Sequence, residues 1–130
     1  MCIFCKIINN EIPSYKVYED EDVLAILDIA QVTKGHTLVM PKKHYDNILD
    51  CDPEVLKKVI SVTQKLANEL KGKLDAPGLN ILSNCGEVAG QSVDHLHFHI
   101  IPRYSDKDAM IAKFLDSGIK AEDTAKELGL

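Results

Sequence analysis

His95-Leu96-His97-Phe98-His99-Ile100-Ile101-Pro102 alternates imidazole with hydrocarbon and then turns apolar. In an extended chain successive side chains point to opposite faces. The three imidazoles therefore share one side, and Leu96, Phe98 and Ile100 share the other. At a rise of about 3.3 Å per residue, same-face rings are rooted roughly 6–7 Å apart. The stretch 95–101 reads as a strand closed by Pro102. Its apolar side should meet a core, and its imidazole side should be wet or ligand-filled.

Four more strands are expected, at 15–19, 22–28, 36–40 and 78–83. Pro41 stops the third. Asp52 is a good N-cap and Pro53 suits a first helical position, so a helix is expected over 53–71. Val55, Val59, Val62, Leu66 and Leu70 recur at steps of three and four, with Leu56, Ile60 and Ala67 widening the stripe. Residues 1–10 read as a short helical turn with Ile3, Phe4, Ile7 and Ile8 available for burial. The tail 105–130 reads as partly helical, over 109–115 and 121–128, and as peripheral or an interface element. Short links between strands favour an antiparallel α+β sheet over a doubly wound parallel one.

A chain of 130 residues is expected to form one domain, 1–130. Its 45% apolar and 27% charged residues, with 7 Gly and 5 Pro, are those of a globular fold rather than a low-complexity one. The net charge of −5 and a single arginine, Arg103, argue against a nucleic-acid-binding face. No apolar run approaches the ~20 residues of a membrane span, and the first residues lack a signal-peptide pattern, so no membrane partner and a cytoplasmic location are expected. Four cysteines in a reducing compartment are not expected to form structural disulfides.

Three readings of the histidine strand compete. One is a polar outer face that happens to use His. A second is a three-His metal site, awkward because three rings along one extended segment must converge on a point. The third is nucleophilic catalysis: a neutral imidazole held in one tautomer attacks an electrophile with its other nitrogen. The middle ring is best placed for this. Phosphorus is a suitable electrophile, because the loop Asn84-Cys85-Gly86-Glu87-Val88-Ala89-Gly90-Gln91-Ser92 offers amides and side-chain donors to phosphate oxygens. Cys2-x-x-Cys5 is a separate signal, for metal or redox work. A redox role wants a thioredoxin-like βαβ setting, which is not seen here. A zinc site wants two more ligands, with His44 and one of the clustered histidines as candidates. Two small buried apolar groups are the plainer alternative.

The segment 95–101 resembles the histidine triad motif, His-x-His-x-His-x-x with x apolar. Leu27-Asp28-Ile29, Gly35-His36-Thr37-Leu38-Val39-Met40-Pro41-Lys42-Lys43-His44, Asn84-Cys85-Gly86 and Ala89-Gly90-Gln91-Ser92 follow that family's order, and the resemblance spans about residues 2–104. It implies a five-stranded antiparallel sheet with two main helices and a homodimer. It also implies hydrolysis or transfer at the α-phosphorus of a purine nucleotide. His97 would be the nucleophile and His99 a phosphate or leaving-group contact. The carbonyl of His95 would orient the nucleophile, and His36 would be a fourth histidine near His95. Asp28 would bind ribose, with Ile29 at the base. Asn84, Gln91 and Ser92 would contact phosphate. Members with an N-terminal Cys-x-x-Cys resemble zinc binders, which implies a structural site of Cys2, Cys5, His44 and His95, with no metal needed for the chemical step. Cys51 and Cys85 are not expected to be ligands. Ile101-Pro102-Arg103 resembles the fragile histidine triad branch, which cleaves dinucleoside polyphosphates, whereas Gln91-Ser92-Val93 resembles the Hint branch, which cleaves phosphoramidates. A non-catalytic nucleotide-binding or zinc-binding interaction protein is the alternative.

Overall fold

The computed structural model describes residues 2–110 and 113–130. In chain order the elements are α1 (Ile3–Ile8), β1 (Lys16–Glu19), β2 (Val23–Leu27), β3 (Thr37–Pro41), α2 (Pro53–Lys73), β4 (Gly78–Leu82), a 3-10 turn (Glu87–Ala89), β5 (Phe98–Arg103) and α3 (Ala121–Leu128). The strands form one antiparallel sheet in the order β1-β2-β3-β5-β4. The fold is α+β, as expected, with α2 and α3 its two longest helices.

Alternation decides what each face carries. Leu96, Phe98 and Ile100 join Val23, Ala25 and Val39 against Val59, Val62 and Leu66 of α2. The other face carries Leu24, Ile26, Leu38 and Met40, covered by Phe4 and Ile7 of α1. Leu38 pairs with His99, so the imidazoles share this second face, close to α1. Asp52 caps α2 by accepting the Glu54 N–H at 2.8 Å, and Pro53 takes the first turn.

Several boundaries differ from expectation. The last strand starts at Phe98, not His95, and runs through Pro102 to Arg103. Pairing with β3 extends only from Phe98 to Ile100, so at Pro102 the missing N–H costs no bond on that side. Pro41 likewise ends β3 from within the strand. Ile60 is 45% exposed rather than part of the buried stripe, because it sits one residue, about 100°, past the buried Val59. Of the expected helix at 109–115, residues 109–110 and 113–115 are not helical, and 111–112 lie outside the described residues. The segment 113–115 is exposed, with no packing to stabilise a turn of helix.

Gly35 allows the turn into β3. Its φ is +94°, and a Cβ there would strike Leu74 Cδ1 and approach Pro102 Cγ at 3.2 Å. Gly35→Ala is expected to destabilise the fold by about 2 kcal/mol in urea unfolding, from backbone strain plus overpacking. An unchanged midpoint would contradict that.

Candidate active site and metal centre

Before β5 the chain leaves the ladder. Leu96 N–H bonds the Tyr45 carbonyl at 2.7 Å, and the His97 carbonyl accepts Ser83 Oγ at 2.8 Å. The His95 carbonyl is thereby available to a side chain: His97 Nδ1 donates to it at 2.6 Å. That bond places the neutral ring's hydrogen on Nδ1 and leaves Nε2 with a lone pair. Among the described residues Nε2 has no hydrogen-bond partner. The His97 ring is buried and meets Phe4 edge-on, with centroids 5.0 Å apart. Burial pushes its pKa below the ordinary imidazole value, against the opposing pull of the His95 carbonyl.

His99 lies beside it, with ring centroids 4.9 Å apart. His36 packs against His99, not His95: Nε2 of His36 and Nδ1 of His99 are 2.9 Å apart. Strand pairing is the cause, since Thr37 lies opposite Ile100 and Leu38 opposite His99. His36 Nδ1 accepts the Val32 N–H at 3.4 Å, so Nε2 donates to His99. The hydrogen of neutral His99 then sits on its Nε2. Asp28 Oδ2 is 3.7 Å from His36 Nε2 and completes the cluster. Burial, reinforced by the neighbouring His97 and His36, holds the His99 pKa down to about 4. The unfolded ring takes up a proton near the ordinary value of 6.5, while the folded one resists until about pH 4. Folding stability is therefore full above the ordinary value and falls as pH drops through this window. Between pH 7 and 5.5 the wild type should lose about 1 kcal/mol more than His99→Asn. Urea titrations at both pH values check this, and equal losses would refute it.

Asp28, Ile29, Gln91 and Ser92 line two cavities. Asp28 and Ile29 line an apolar cavity of about 210 Å³ with Phe4, Ile7, Leu38 and Val93. Ser92 is exposed and lines a second cavity with Glu87, Gly90, Gln91 and Asp94. Asn84 donates to the Gly90 carbonyl at 3.3 Å. Gln91 is buried, and both ends of its amide are engaged: Nε2 donates to the Asp46 and Val93 carbonyls, and Oε1 accepts the Gly86 N–H. Its side chain holds the loop together. Arg103 is also engaged, on Asp108, Asn80 and the Met110 carbonyl.

The second constellation brings Cys2, Cys5, His44 and His95 together, with one ligand atom from each within 4.8 Å of the others. His95 Nδ1 is 3.4 Å from Cys2 Sγ, 3.6 Å from Cys5 Sγ and 3.2 Å from His44 Nδ1, and Cys5 Sγ is 3.4 Å from His44 Nδ1. His95 Nε2 donates to the Pro41 carbonyl at 2.8 Å, and His44 Nε2 lies 3.1 Å from a carboxylate oxygen of Asp46. In the neutral rings both hydrogens are thus committed outward, and two Nδ1 lone pairs face each other. Two lone pairs at that distance repel unless a cation lies between them. Outward bonds to a carbonyl and a carboxylate are what orient metal-bound histidines. With metal–ligand lengths of about 2.3 Å to sulfur and 2.0–2.1 Å to nitrogen, a tetrahedron has edges of about 3.4 Å between nitrogens and 3.5 Å between nitrogen and sulfur. The observed spacings fit. Burial and the neighbouring Cys2 raise the Cys5 pKa. Cys51 is separate, its thiol donating to the Asp52 carbonyl.

Sequence reasoning missed Phe4, Ser83, Asp46 and the Pro41 carbonyl as parts of the site. Asp46, two residues after His44, was legible as a partner; a backbone carbonyl leaves no residue-type signal.

The HIT domain family model matches residues 9–106, and the chain belongs to the HIT family. It is 50% identical over 129 residues to an uncharacterized HIT-like protein of Methanocaldococcus jannaschii, covering 98% of each chain. It is 43% identical over 110 residues to an adenosine 5'-monophosphoramidase of Saccharomyces cerevisiae, covering 85% of this chain and 67% of that one. Among solved structures, a HIT family member from Bacillus subtilis superposes with a TM-score of 0.91 at 49% identity, covering 98% of this chain and 92% of that one. A zinc-bound histidine triad family protein from Mycobacterium smegmatis does so with a TM-score of 0.79 at 39% identity, covering 88% and 84%. Among the described residues no helix is long and apolar enough to cross a membrane.

Proposed function

We propose that this protein is a nucleotide hydrolase that cleaves a phosphoanhydride or phosphoramidate bond at the α-phosphorus of a purine nucleotide. One observation carries the reading: the His97 ring is fixed through Nδ1 on the His95 carbonyl at 2.6 Å, with Nε2 unpartnered among the described residues. The Nε2 lone pair attacks phosphorus and forms an N–P bond. The bond from phosphorus to the leaving nitrogen or oxygen breaks, and that atom departs with the electron pair and takes up a proton. Water then attacks the phosphorus and gives up a proton to solvent, the N–P bond breaks with its electron pair returning to Nε2, and nucleoside monophosphate leaves with neutral His97 restored. His99 contributes its Nε2–H to a phosphate oxygen or the leaving atom, with His36 fixing that tautomer.

Asp28 receives the ribose hydroxyls and Ile29 the base, both residues lining the apolar cavity. Asn84 and Ser92 contact phosphate, and Gln91 acts by holding their loop. Zinc is the metal we assign to Cys2, Cys5, His44 and His95, on the strength of the ligand set and the zinc-bound relative. The ion supplies a structural link and leaves attack on phosphorus to imidazole. We further propose a single domain with a peripheral 105–130 tail, working as a homodimer in the cytoplasm on a small nucleotide rather than nucleic acid or membrane.

The test is mass spectrometry after brief exposure to an adenosine 5'-phosphoramidate. An added AMP on His97 is expected. If the wild type binds AMP yet neither forms the adduct nor turns over any adenylyl substrate, the non-catalytic nucleotide-binding reading replaces this one. A parallel assay with a dinucleoside polyphosphate separates the two leaving-group classes.

A further inference from the structure

α1 belongs to both constellations at once. Cys2 caps it and Cys5 lies within it, so both sulfur ligands come from one short element. Phe4, between them, meets His95 and His97 edge-on at centroid distances of 5.9 and 5.0 Å. Ile3, Phe4 and Ile7 line the same apolar cavity as Asp28 and Ile29.

Apart from its sulfurs, α1 is held to the sheet by Phe4 and Ile7 packing on Leu24, Ile26, Leu38 and Met40. Six residues are too few to be helical alone. Its backbone bonds stay within residues 2–11. Among the described residues, the only hydrogen-bond-range contacts from residues 2–9 to the chain beyond Glu11 run from Cys2 and Cys5 to His44 and His95. Only Phe4 and Ile7 are buried. Elements with few buried contacts open at low free-energy cost.

We infer that the four-ligand centre acts as a clasp that seats α1, with Phe4, as one wall of the nucleotide cavity, so that metal and nucleotide bind cooperatively. Phe4 is a positioning residue: it transmits the seating of the two sulfurs to the cavity and to the His97 ring. The inference rests on the proposed nucleotide site and goes beyond it, because it ties two ligands through one element. Coupling of this kind is reciprocal: the factor by which zinc tightens nucleotide binding equals the factor by which nucleotide tightens zinc binding.

The experiment is calorimetric titration of AMP into zinc-loaded protein, chelator-stripped protein and the Cys2→Ser/Cys5→Ser variant. Competition for zinc with a chromophoric chelator, with and without saturating AMP, gives the reciprocal measurement. Stripping is expected to weaken AMP binding about tenfold, and AMP is expected to tighten zinc by the same factor. Phe4→Ala should retain one zinc per chain and lose most of the difference between loaded and stripped protein. Circular dichroism of the stripped protein controls for the core, which does not depend on α1 for its α2 face. Equal AMP affinity with and without zinc overturns the clasp while leaving the nucleotide site intact. No AMP binding by loaded protein overturns both. Failure to bind zinc overturns the clasp, and undiminished coupling in Phe4→Ala removes Phe4 as its carrier.

Discussion

Asparagine in place of His97 is expected to slow hydrolysis of an adenosine 5'-phosphoramidate by about 10⁴-fold or more, the scale on which removal of a nucleophile acts. The amide keeps a donor near the His95 carbonyl but offers no nitrogen lone pair to phosphorus. AMP affinity should stay within about threefold, because the cavity walls and Asp28 are untouched and binding is not what the ring supplies. The AMP adduct should vanish with the activity. Steady-state kinetics, calorimetry and mass spectrometry on one preparation give all three readouts. Wild-type turnover by the variant would remove His97 from the chemistry altogether.

His95→Ala is expected to act on the metal centre and the core rather than on the chemistry. The backbone carbonyl that holds His97 survives, while the side chain's Nδ1, 3.4 and 3.6 Å from the sulfurs, and its Nε2 bond to the Pro41 carbonyl are both lost. Zinc affinity should fall at least about 100-fold, since one of four ligands and its orienting bond go together. A fully buried imidazole is also replaced by a void, with the Pro41 carbonyl left without its donor. The thermal midpoint should drop by about 10 °C, from cavity and hydrogen-bond losses of a few kcal/mol. Cys2→Ser/Cys5→Ser should lose zinc to the same extent with a smaller drop, because no core position is emptied. Metal analysis and calorimetry compare the two. If His95→Ala binds stoichiometric zinc, the four-ligand centre is wrong.

The strand period made the two-faced character of 95–101 legible, and the pattern of α2 was legible from its cap and stripe. What escaped was where the ladder stops. Nothing in His95-Leu96-His97 says that the Leu96 amide goes to Tyr45, or that the His95 carbonyl leaves the sheet to hold a ring. Those are tertiary choices between backbone partners, and they shortened the strand at one end. Pro102 misled at the other end, because a proline reads as a stop unless the unpaired side of the strand is known. The position of His36 escaped for the same reason, being set by register with β5 rather than by its neighbours in the chain. The four-ligand cluster could be gathered from the sequence by residue type, but its facing lone pairs depend on Pro41 and Asp46. Gln91 shows the reverse case: a polar loop side chain reads as a ligand contact until its amide is found engaged at both ends.

The alternation of imidazole with hydrocarbon at β5 also sets what variation this segment can absorb. Phe98 and Ile100 abut α2 while His97 and His99 face the opposite side, so one added or deleted residue between them would exchange the two sets. Aromatic hydrocarbon would fill the reaction chamber, and basic rings would be driven under the long helix. Insertions and deletions here, unlike side-chain replacements, would damage folding and chemistry in a single event. Spacing is therefore the property that this part of the chain is least free to change.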